Sequence, residues 1–528
     1  MLKSLSNINN HIKKGALLIG LLFMFFALKG QERFSVRYDS GFFNTLFMSV
    51  IELDDGYVCT GYTGLSESNT RPMLFVKFDF EGNVVFQKEY GEGLDYYSSQ
   101  NPDLDFLDES SLFHSGISFE ADGTNIGYIT RFTLEGDTIG LFRYQTPIDD
   151  PEFDWYRTTS VKRSSDDSYF MLATILQPET EGDFIVRKIN DEGDLIWEHI
   201  EATDQPNDVC RVILPTDDGG VITVNKLGLL GESPNQQHFF KLNGETGAID
   251  WDVIIDADST SVFHDALLHE GGIFGLTPKP YWPNPSNGYW LPRVVSYDTN
   301  FNELWATDIW DEAFHFNHGL GRIQRSIDGH VMASGWRYDE LENPNEISGD
   351  YNDMGWIAKL DQFTGEILWL RYYQFLDLPF EKHRIRDMRP TSDGGFILCG
   401  EATDLWPDDG LTEPPYQQGW LLKLDELGCL SEDCTTNVED DIKGEDTFFS
   451  IGPNPATTYF SIYQHRSLGN YAKFQVFDAR GKMIQESTTS KLKNTSFILD
   501  SRSWAKGGYV VVLRNEKGVL QTQKLLVE

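Results

Sequence analysis

The chain repeats one short phrase of alternating apolar and polar residues. In WIAKLDQFTGEILWLRYY, residues 356–373, the alternation stops at Thr364-Gly365 and then resumes. Closely similar phrases are FVKFDFEGNVVFQKEY, FIVRKINDEGDLIWEHI and HFFKLNGETGAIDWDVI. Alternation with a period of two indicates a β-strand, and two such runs joined by a glycine-containing turn indicate a β-hairpin. The phrase therefore predicts a repeated strand–turn–strand unit.

A second, weaker phrase precedes each copy, and in it a short acidic or glycine-containing turn leads into an apolar strand. Seven such turns begin at Asp54, Glu109, Asp166, Asp218, Glu270, Asp328 and Asp393. They are 52 to 65 residues apart. Each repeat then contains four predicted strands, and units of this kind bury their faces against their neighbours. The period predicts seven stacked four-stranded sheets.

Aromatic residues mark the fourth strand of most repeats. They lie four positions after the turn residue, at Phe86, Trp197, Trp251, Trp305 and Trp369, whereas the second repeat has Gly140 there. Since alternate residues of a strand share one face, we expect these rings to pack between neighbouring sheets. A role in binding a cofactor is the alternative.

The seventh repeat, which ends in WLLKLDELGCL, has no fourth strand of its own. The segment ERFSVRYDSG, residues 32–41, resembles the fourth-strand phrase VVFQKEYGEG, with Phe34 in the place of Phe86 and Tyr38 in the place of Tyr90. A stack of sheets must either expose its last edges or close into a ring. We expect the N-terminal strand to complete the seventh repeat and close the ring.

These repeats resemble the seven-bladed β-propellers, and the resemblance covers residues 31–430. It implies an all-β fold in which the N-terminal strand completes the seventh blade. It implies no particular chemistry, because one fold supports many unrelated functions.

The C-terminal part of the chain begins a new run of strands after an acidic and polar stretch at 431–447, which is predicted to be a linker. It contains IGPNPATTYFSI, the hairpin FDARGK, the strand GGYVVVL and the final KLLV. These segments resemble the type A C-terminal sorting domain of the type IX secretion system of Bacteroidetes. The resemblance implies a small Ig-like β-sandwich at residues 448–528, with the type IX secretion machinery as its partner. Members of this family usually lose the domain and are then released or joined to surface lipopolysaccharide.

Residues 1–30 have the pattern of a secretory signal peptide. A lysine-containing start is followed by the apolar run ALLIGLLFMFFAL, residues 16–28, which is shorter than the roughly 20 residues of a membrane-spanning helix. No other apolar run approaches that length, so we expect no transmembrane segment in the mature chain. The predicted location is secreted or at the outer-membrane surface, after export to the periplasm.

The charge of the chain is unevenly distributed. The formal net charge is −39, but residues 1–30 carry +4 and residues 448–528 carry +6, which leaves −49 on residues 31–447. A body of this charge repels nucleic acid and anionic lipid. Calcium, basic proteins and neutral glycans are compatible with it, and so is acidity that only keeps the surface solvated.

Aromatic residues in the long loops of the fifth to seventh repeats form the candidate binding site. They are Trp282, Tyr289, Trp290, Trp336, Trp406 and Tyr416. Short turns are expected on one side of the ring and long loops on the other, and binding residues are common in such loops. Indole rings stack on the C–H faces of sugars, while Asn and Asp bind hydroxyl groups. The pattern predicts a glycan site, with loop packing as the alternative.

Few residues point to catalysis. The sequence has no HExxH, GxSxG, CxxC or phosphate-binding glycine loop, so an enzyme is not the favoured interpretation. Asp103, Asp105 and Asp108 in NPDLDFLDES are weak candidate calcium ligands, although the EF-hand pattern is absent. No other cofactor is predicted.

The five cysteines are too few for a disulfide framework in a chain of 528 residues. Cys429 and Cys434 in GCLSEDC are close enough to form a local disulfide in an oxidising compartment. Cys59 and Cys399 lie in predicted strands and are expected to be small buried apolar residues. Cys210 has no predicted role.

The favoured hypothesis is an exported, non-enzymatic propeller that binds a glycan or a protein through its long-loop face. One alternative is a secreted polysaccharide hydrolase or lyase, with acidic residues from several blades meeting at the central mouth. Another is an adhesion scaffold that makes its contacts through the rims of the ring.

Overall fold

The computed structural model describes 24 segments of the chain, and every regular element in them is a β-strand. The described residues are 33–40, 44–64, 72–91, 95–98, 104–119, 125–145, 155–176, 181–201, 209–227, 236–256, 263–284, 287–309, 318–340, 351–374, 381–404, 416–430, 449–452, 456, 459–464, 473–478, 480, 482–488, 495–515 and 518–527. Among them, no helix has the length and apolar character needed to cross a membrane. The predicted signal peptide and linker lie outside these residues.

The chain divides into two compact units, and the first contains 29 of the described strands. They are β1 (Phe34–Tyr38), β2 (Asn44–Leu53), β3 (Gly56–Gly64), β4 (Met73–Phe78), β5 (Val84–Tyr90), β6 (Asp95–Ser98), β7 (Leu104–Asp108), β8 (Ser111–Phe119), β9 (Asn125–Thr133), β10 (Thr138–Gln145), β11 (Trp155–Arg163), β12 (Tyr169–Leu176), β13 (Glu181–Ile189), β14 (Leu195–Glu201), β15 (Val209–Pro215), β16 (Val221–Leu227), β17 (Gln236–Leu242), β18 (Ile249–Asp256), β19 (Asp265–His269), β20 (Gly272–Asn284), β21 (Asn287–Asp298), β22 (Glu303–Asp308), β23 (His318–Arg325), β24 (Val331–Glu340), β25 (Tyr351–Leu360), β26 (Ile367–Tyr373), β27 (Glu381–Pro390), β28 (Phe396–Asp404) and β29 (Tyr416–Leu424).

These strands form seven antiparallel groups. Five groups contain four consecutive strands each, namely β2–β5, β11–β14, β15–β18, β19–β22 and β23–β26. In the second group β6 and β7 both pair with β8, which continues to β9 and β10, and the last group is β27, β28, β29 and β1. Each group is one blade, and the blades are numbered here in chain order.

The innermost strands make a closed circuit of contacts. β2 contacts β7 of the second blade and β27 of the seventh, and β11 contacts β8, β9 and β15. The circuit continues from β15 to β19, β23 and β27. The first unit is therefore a β-propeller, as the repeats predict.

The N-terminal strand is the outer strand of the seventh blade. β1 pairs antiparallel with β29, in a register that runs from Phe34 opposite Lys423 to Tyr38 opposite Gly419. The indole Nε1 of Trp420 donates to Ser35 Oγ at 2.9 Å. This is the position that the sequence predicts for the N-terminal strand, so the two ends of the propeller are held together by one sheet.

Five of the seven junctions between blades place an aromatic ring from one fourth strand on a glycine in the last turn of the next blade. The ring and glycine pairs are Phe34 with Gly82, Phe142 with Gly193, Trp197 with Gly247, Trp305 with Gly365, and Trp369 with Gly428. A Cβ on Gly428 would lie 2.7 Å from the Trp369 ring, and its φ of +71° also favours glycine. In the second blade Phe142 takes this role, two residues beyond Gly140.

We expect Trp369→Ala to lower the free energy of unfolding by about 3 to 5 kcal/mol, as other large-to-small core changes do. Trp369 is 6% exposed and lies against the turn of the next blade, so the truncation leaves a cavity at the junction. Phe363→Ala is the matched control, because that ring is 79% exposed. Denaturant titration measures both variants, and equal stabilities would contradict the packing role of Trp369.

The second unit is a two-sheet β-sandwich. Its strands are β30 (Phe449–Gly452), β31 (Tyr459–Gln464), β32 (Lys473–Asp478), β33 (Met483–Thr488), β34 (Thr495–Asp500), β35 (Gly507–Asn515) and β36 (Gly518–Val527). One sheet has the order β30-β31-β34, and the other has the order β33-β32-β35-β36. Phe460 of the first sheet and Phe474 and Val511 of the second lie in one hydrophobic core. This agrees with the sandwich that the resemblance implies.

The fifth blade differs from the expected arrangement of loops. The stretch 278–292 belongs to a predicted long loop, but residues 278–284 and 287–292 form the extended ends of β20 and β21. Pro280 lies opposite Trp290, and Tyr281 lies opposite Tyr289. Proline is tolerated here because the ends of these two strands have no further neighbour to bond. The prediction of a loop was wrong here.

Candidate binding site at the junction of blades six and seven

The inner strand of the seventh blade is rich in cations. β27 has the sequence EKHRIRDMRP and carries Lys382, Arg384, Arg386 and Arg389. The whole chain has a net charge of −39, so this concentration of positive charge is unusual for it. This cluster of cations is visible in the sequence, but the prediction of a site in aromatic loops does not include it.

Arg386 is the bulged residue of β27. Ile385 pairs with Gly400 and Asp387 pairs with Cys399, while Arg386 has no opposite residue in the ladder. Bulges re-aim a side chain and are common next to binding sites. The Arg386 side chain is 24% exposed, and its Nη2 donates to Glu401 Oε1 at 2.6 Å.

A second ion pair lies beside the first. Arg384 Nε donates to Asp353 Oδ2 at 2.6 Å, and Arg384 Nη1 lies 3.7 Å from Glu401 Oε1. Asp353 belongs to β25 of the sixth blade, so this pair bridges the junction between blades six and seven. Two guanidinium groups and two carboxylates therefore form one cluster without net charge.

The indole of Trp336 lies against these arginines. The guanidinium carbon of Arg386 is 4.6 Å from the centre of the indole ring, and that of Arg384 is 5.6 Å from it. Such cation–π contacts fix both partners. The Trp336 indole also lies directly over Gly319, and it leaves no space for a side chain at that position. Trp336 is thus in a strand, β24, and not in the long loop that the sequence predicts.

Three buried polar atoms of the cluster have no hydrogen-bond partner among the described residues. They are one acceptor, Asp353 Oδ1, and two donors, Trp336 Nε1 and Arg386 Nε. Buried polar groups are nearly always satisfied in folded proteins, so such atoms indicate a missing partner. Burial raises the pKa of Asp353 to about 6, although Arg384 opposes this. The cluster therefore contains unused hydrogen-bonding capacity of both kinds.

Asp387 serves a different purpose in the same region. It is fully buried and accepts hydrogen bonds from Ser49 Oγ, from the backbone N–H of Val50 and from Arg322 Nε. Burial would raise the pKa of this carboxyl group, but Arg389 and Arg322 outweigh that effect and the pKa is lowered. These contacts join the inner strands of blades one, six and seven, which is a structural role.

The other predicted binding residues are not brought to this cluster in the described part of the chain. Trp290 is on β21 of the fifth blade and is 40% exposed. Trp282, Tyr289 and Tyr416 lie in strands, but their side chains are outside the described residues, as is the whole of Trp406. The predicted set therefore contributes Trp336 to the cluster and Trp290 to an exposed hairpin.

The candidate calcium ligands are used locally. Asp108 Oδ1 accepts from the backbone N–H and the hydroxyl of Ser110 at 2.7 and 2.8 Å, and these bonds lower the pKa of Asp108. Asp105 Oδ1 accepts from the N–H of Phe106, and Asp103 lies outside the described residues. No group of three or more metal-binding side chains occurs within the described segments. Calcium binding stays a prediction.

Cys429 is disulfide-bonded. Its predicted partner, Cys434, lies outside the described residues, so the pairing itself stays a prediction.

The second unit has a recognisable family. Residues 450–528 match the family model of the secretion system C-terminal sorting domain. The tail is a type IX sorting domain. The protein is therefore secreted or displayed at the cell surface, and the sorting domain is the part that addresses it to the secretion machinery. No curated protein matches the chain.

Several solved structures are similar to the propeller in outline. The β-propeller domain of the Trilobed protease from Pyrococcus furiosus has 10% identity and a TM-score of 0.38, with 70% of this chain and 97% of that chain covered. Lignostilbene dioxygenase from Pseudomonas brassicacearum has 10% identity and a TM-score of 0.39, with coverage of 75% and 94%. Synechocystis apocarotenoid oxygenase with cobalt has 12% identity and a TM-score of 0.38, with coverage of 75% and 94%. Likeness at this level does not bear on function.

Proposed function

We propose that this protein, delivered by its sorting domain, binds a neutral glycan at the cluster of Trp336, Asp353, Arg384, Arg386 and Glu401. The observation that carries the proposal is the combination of an indole with paired donors and acceptors at one junction. Sugars present hydroxyl groups that both donate and accept, together with apolar C–H faces. A protein that is delivered to the cell surface or to the medium would meet such a ligand there.

The charge balance of the cluster supports a neutral ligand. Arg384 and Arg386 are already matched by Asp353 and Glu401 through ion pairs. A charged ligand would have to displace one of these pairs and leave a buried charge uncompensated, which is strongly unfavourable. The large negative charge of the chain also disfavours acidic glycans at long range.

The exposed hairpin of the fifth blade is a second place where a long glycan could be contacted. Trp290 presents a large part of its indole to solvent there. A large aromatic side chain gives much contact area with little conformational entropy to lose. We assign to Trp290 a supporting contact outside the cluster.

One observation favours the alternative of a polysaccharide hydrolase. The raised pKa of Asp353, about 6, is in the range that a general acid requires. A polysaccharide hydrolase, however, needs a second carboxyl group that can act on the substrate, and the other carboxylate of the cluster, Glu401, is held in an ion pair by Arg386. Binding without turnover is the better-supported function.

A glycan array probed with the full chain, run beside a hydrolysis screen on the same polysaccharides, tests the proposal. For a bound glycan we expect Arg386→Gln to weaken affinity at least about tenfold, since it removes a charged hydrogen-bond donor. Trp290→Ala should weaken the binding of longer oligosaccharides only. Phe363 is an exposed aromatic residue outside the site, so Phe363→Ala should leave the affinity unchanged.

Two results would contradict the proposal. Glycan binding at this cluster would be wrong if the protein bound no neutral glycan, or if the Arg386→Gln protein bound a glycan as tightly as the wild type. Turnover that disappears in Asp353→Asn would establish the hydrolase instead. Melting temperatures of all variants separate loss of binding from loss of fold.

A further inference from the structure

Two buried cysteines meet at the junction between the first and the seventh blades. Cys59 lies on β3 and Cys399 lies on β28, and both are fully enclosed. They belong to one hydrophobic cluster, together with Tyr38 and Phe47. Burial and the neighbouring Cys59 thiol raise the pKa of Cys399 well above its usual value. The two cysteines are 340 positions apart in the sequence, so only closure of the ring brings them together.

The strand registers explain why these two residues face each other. Cys59 is opposite Val50 of β2, and Cys399 is opposite Asp387 of β27. The Asp387 carboxylate accepts a hydrogen bond from the backbone N–H of Val50 at 3.0 Å. This bond holds β2 and β27 together at the positions of Val50 and Asp387. Each cysteine lies on the second strand of its blade, directly opposite one of these two residues. Their proximity is therefore determined by backbone pairing as well as by side-chain packing.

Cys210 provides a comparison within the same chain. It is also fully buried and free, but its thiol donates to the backbone carbonyl of Val212 and burial raises its pKa to about 12. It lies in a hydrophobic cluster that contains no second cysteine among the described residues. Cys210 thus has the environment of a thiol that stays reduced.

We propose that Cys59 and Cys399, which are free thiols in the structure, are oxidised to a disulfide that joins the first blade to the seventh. The sorting domain places the mature protein outside the cytoplasm, where disulfides form and persist. The bond would join the first and seventh blades covalently at the junction where the two ends of the propeller meet.

The reaction is a thiol–disulfide exchange with an oxidised dithiol protein or a small disulfide such as oxidised glutathione. One cysteine thiolate attacks the partner disulfide and releases one thiol, and the other then attacks the mixed disulfide and releases the second thiol. Two electrons pass to the partner, and the two protons lost by Cys59 and Cys399 are taken up by the released thiols. The first attack must precede full closure, because the enclosed thiols are out of reach of the oxidant afterwards, and the second attack follows as closure brings the two sulfurs together.

The test is to express the full chain with export to the bacterial periplasm, denature it without reductant and alkylate it. Peptide mass spectrometry should then find a cross-linked pair of peptides containing Cys59 and Cys399, while Cys210 is alkylated. After reduction, both cysteines should become alkylated. In Cys59→Ala the pair is lost and Cys399 becomes alkylated without reduction, whereas Cys210→Ala, the matched control, should keep the cross-link.

Alkylation of Cys59 and Cys399 in the unreduced wild type would overturn the proposal. A cross-link of either residue to Cys210 or Cys434 would also overturn it. Circular dichroism of the Cys59→Ala protein shows whether it has folded, so that a missing cross-link is not confused with a missing fold.

Discussion

Deletion of residues 31–39 is expected to produce a protein that aggregates or melts at a much lower temperature than the mature chain. The deletion removes β1, which is paired with β29 along its whole length. The backbone groups of β29 would become an unpaired edge, and such edges pair with other molecules. Tyr38 is buried in the core of the junction, and burial of one such side chain is worth about 1.5 to 3 kcal/mol.

A point variant at the end of this strand separates loss of the strand from loss of one contact. Arg33 pairs with Asp425 at 2.8 Å, and both side chains are partly exposed. Arg33→Ala should therefore cost less than about 1 kcal/mol, as exposed ion pairs do. Differential scanning calorimetry of both proteins measures the difference. A deletion variant that melts together with Arg33→Ala would show that β1 does not close the ring.

Removal of residues 448–528 is expected to abolish secretion while the propeller still folds. The sorting domain has its own core and forms a separate compact unit, so its loss should leave the fold of the first unit unchanged. Cell fractionation should find the truncated protein inside the cell envelope, with no protein in the medium or on the surface. Its near-ultraviolet circular dichroism should keep the tryptophan signals of the propeller.

The complementary experiment attaches the same residues to an unrelated exported protein. If the sorting domain is sufficient as an address, the fusion should reach the surface or the medium. A core variant such as Phe460→Ala, which removes a buried ring of the sandwich, should reduce export of the fusion. Normal surface display of the truncated propeller would contradict the role assigned to the tail.

The architecture could be predicted because the repeats share one local sequence pattern. Alternation, turn residues and spaced aromatic rings depend on near neighbours in the sequence, and the aromatic residues do lie on the following blade. The exceptions were instructive. Phe142 packs where the spacing rule pointed to Gly140, and Phe301 has a φ of +62° at a turn where other blades use glycine. Tertiary packing therefore tolerates a shift of two residues or a strained turn.

The candidate site could be predicted only in part. The sequence predicts Trp336 as a binding residue because it is aromatic, but its contacts with Arg384 and Arg386 depend on which blades are adjacent. Asp353 has no local signature, because its burial and its pairing with Arg384 arise from two strands of different blades. The prediction of loops around Trp290 was wrong, since proline-rich sequence can also form an extended hairpin. Contacts between residues of different blades depend on strand pairing over long sequence distances, and a local sequence pattern does not contain that information.

Closure by the N-terminal strand also determines the order in which this protein can fold. Ser35 and Trp420, which are hydrogen-bonded across the closing sheet, are separated by 385 residues. At a synthesis rate of about 5 to 20 residues per second, β1 is made roughly 20 to 80 seconds before its partner strand exists. Contacts between such distant segments also form slowly, because a long loop must be closed first. The first strand of the ring must remain unpaired during that interval, which favours completion of the ring after the whole chain has been synthesised.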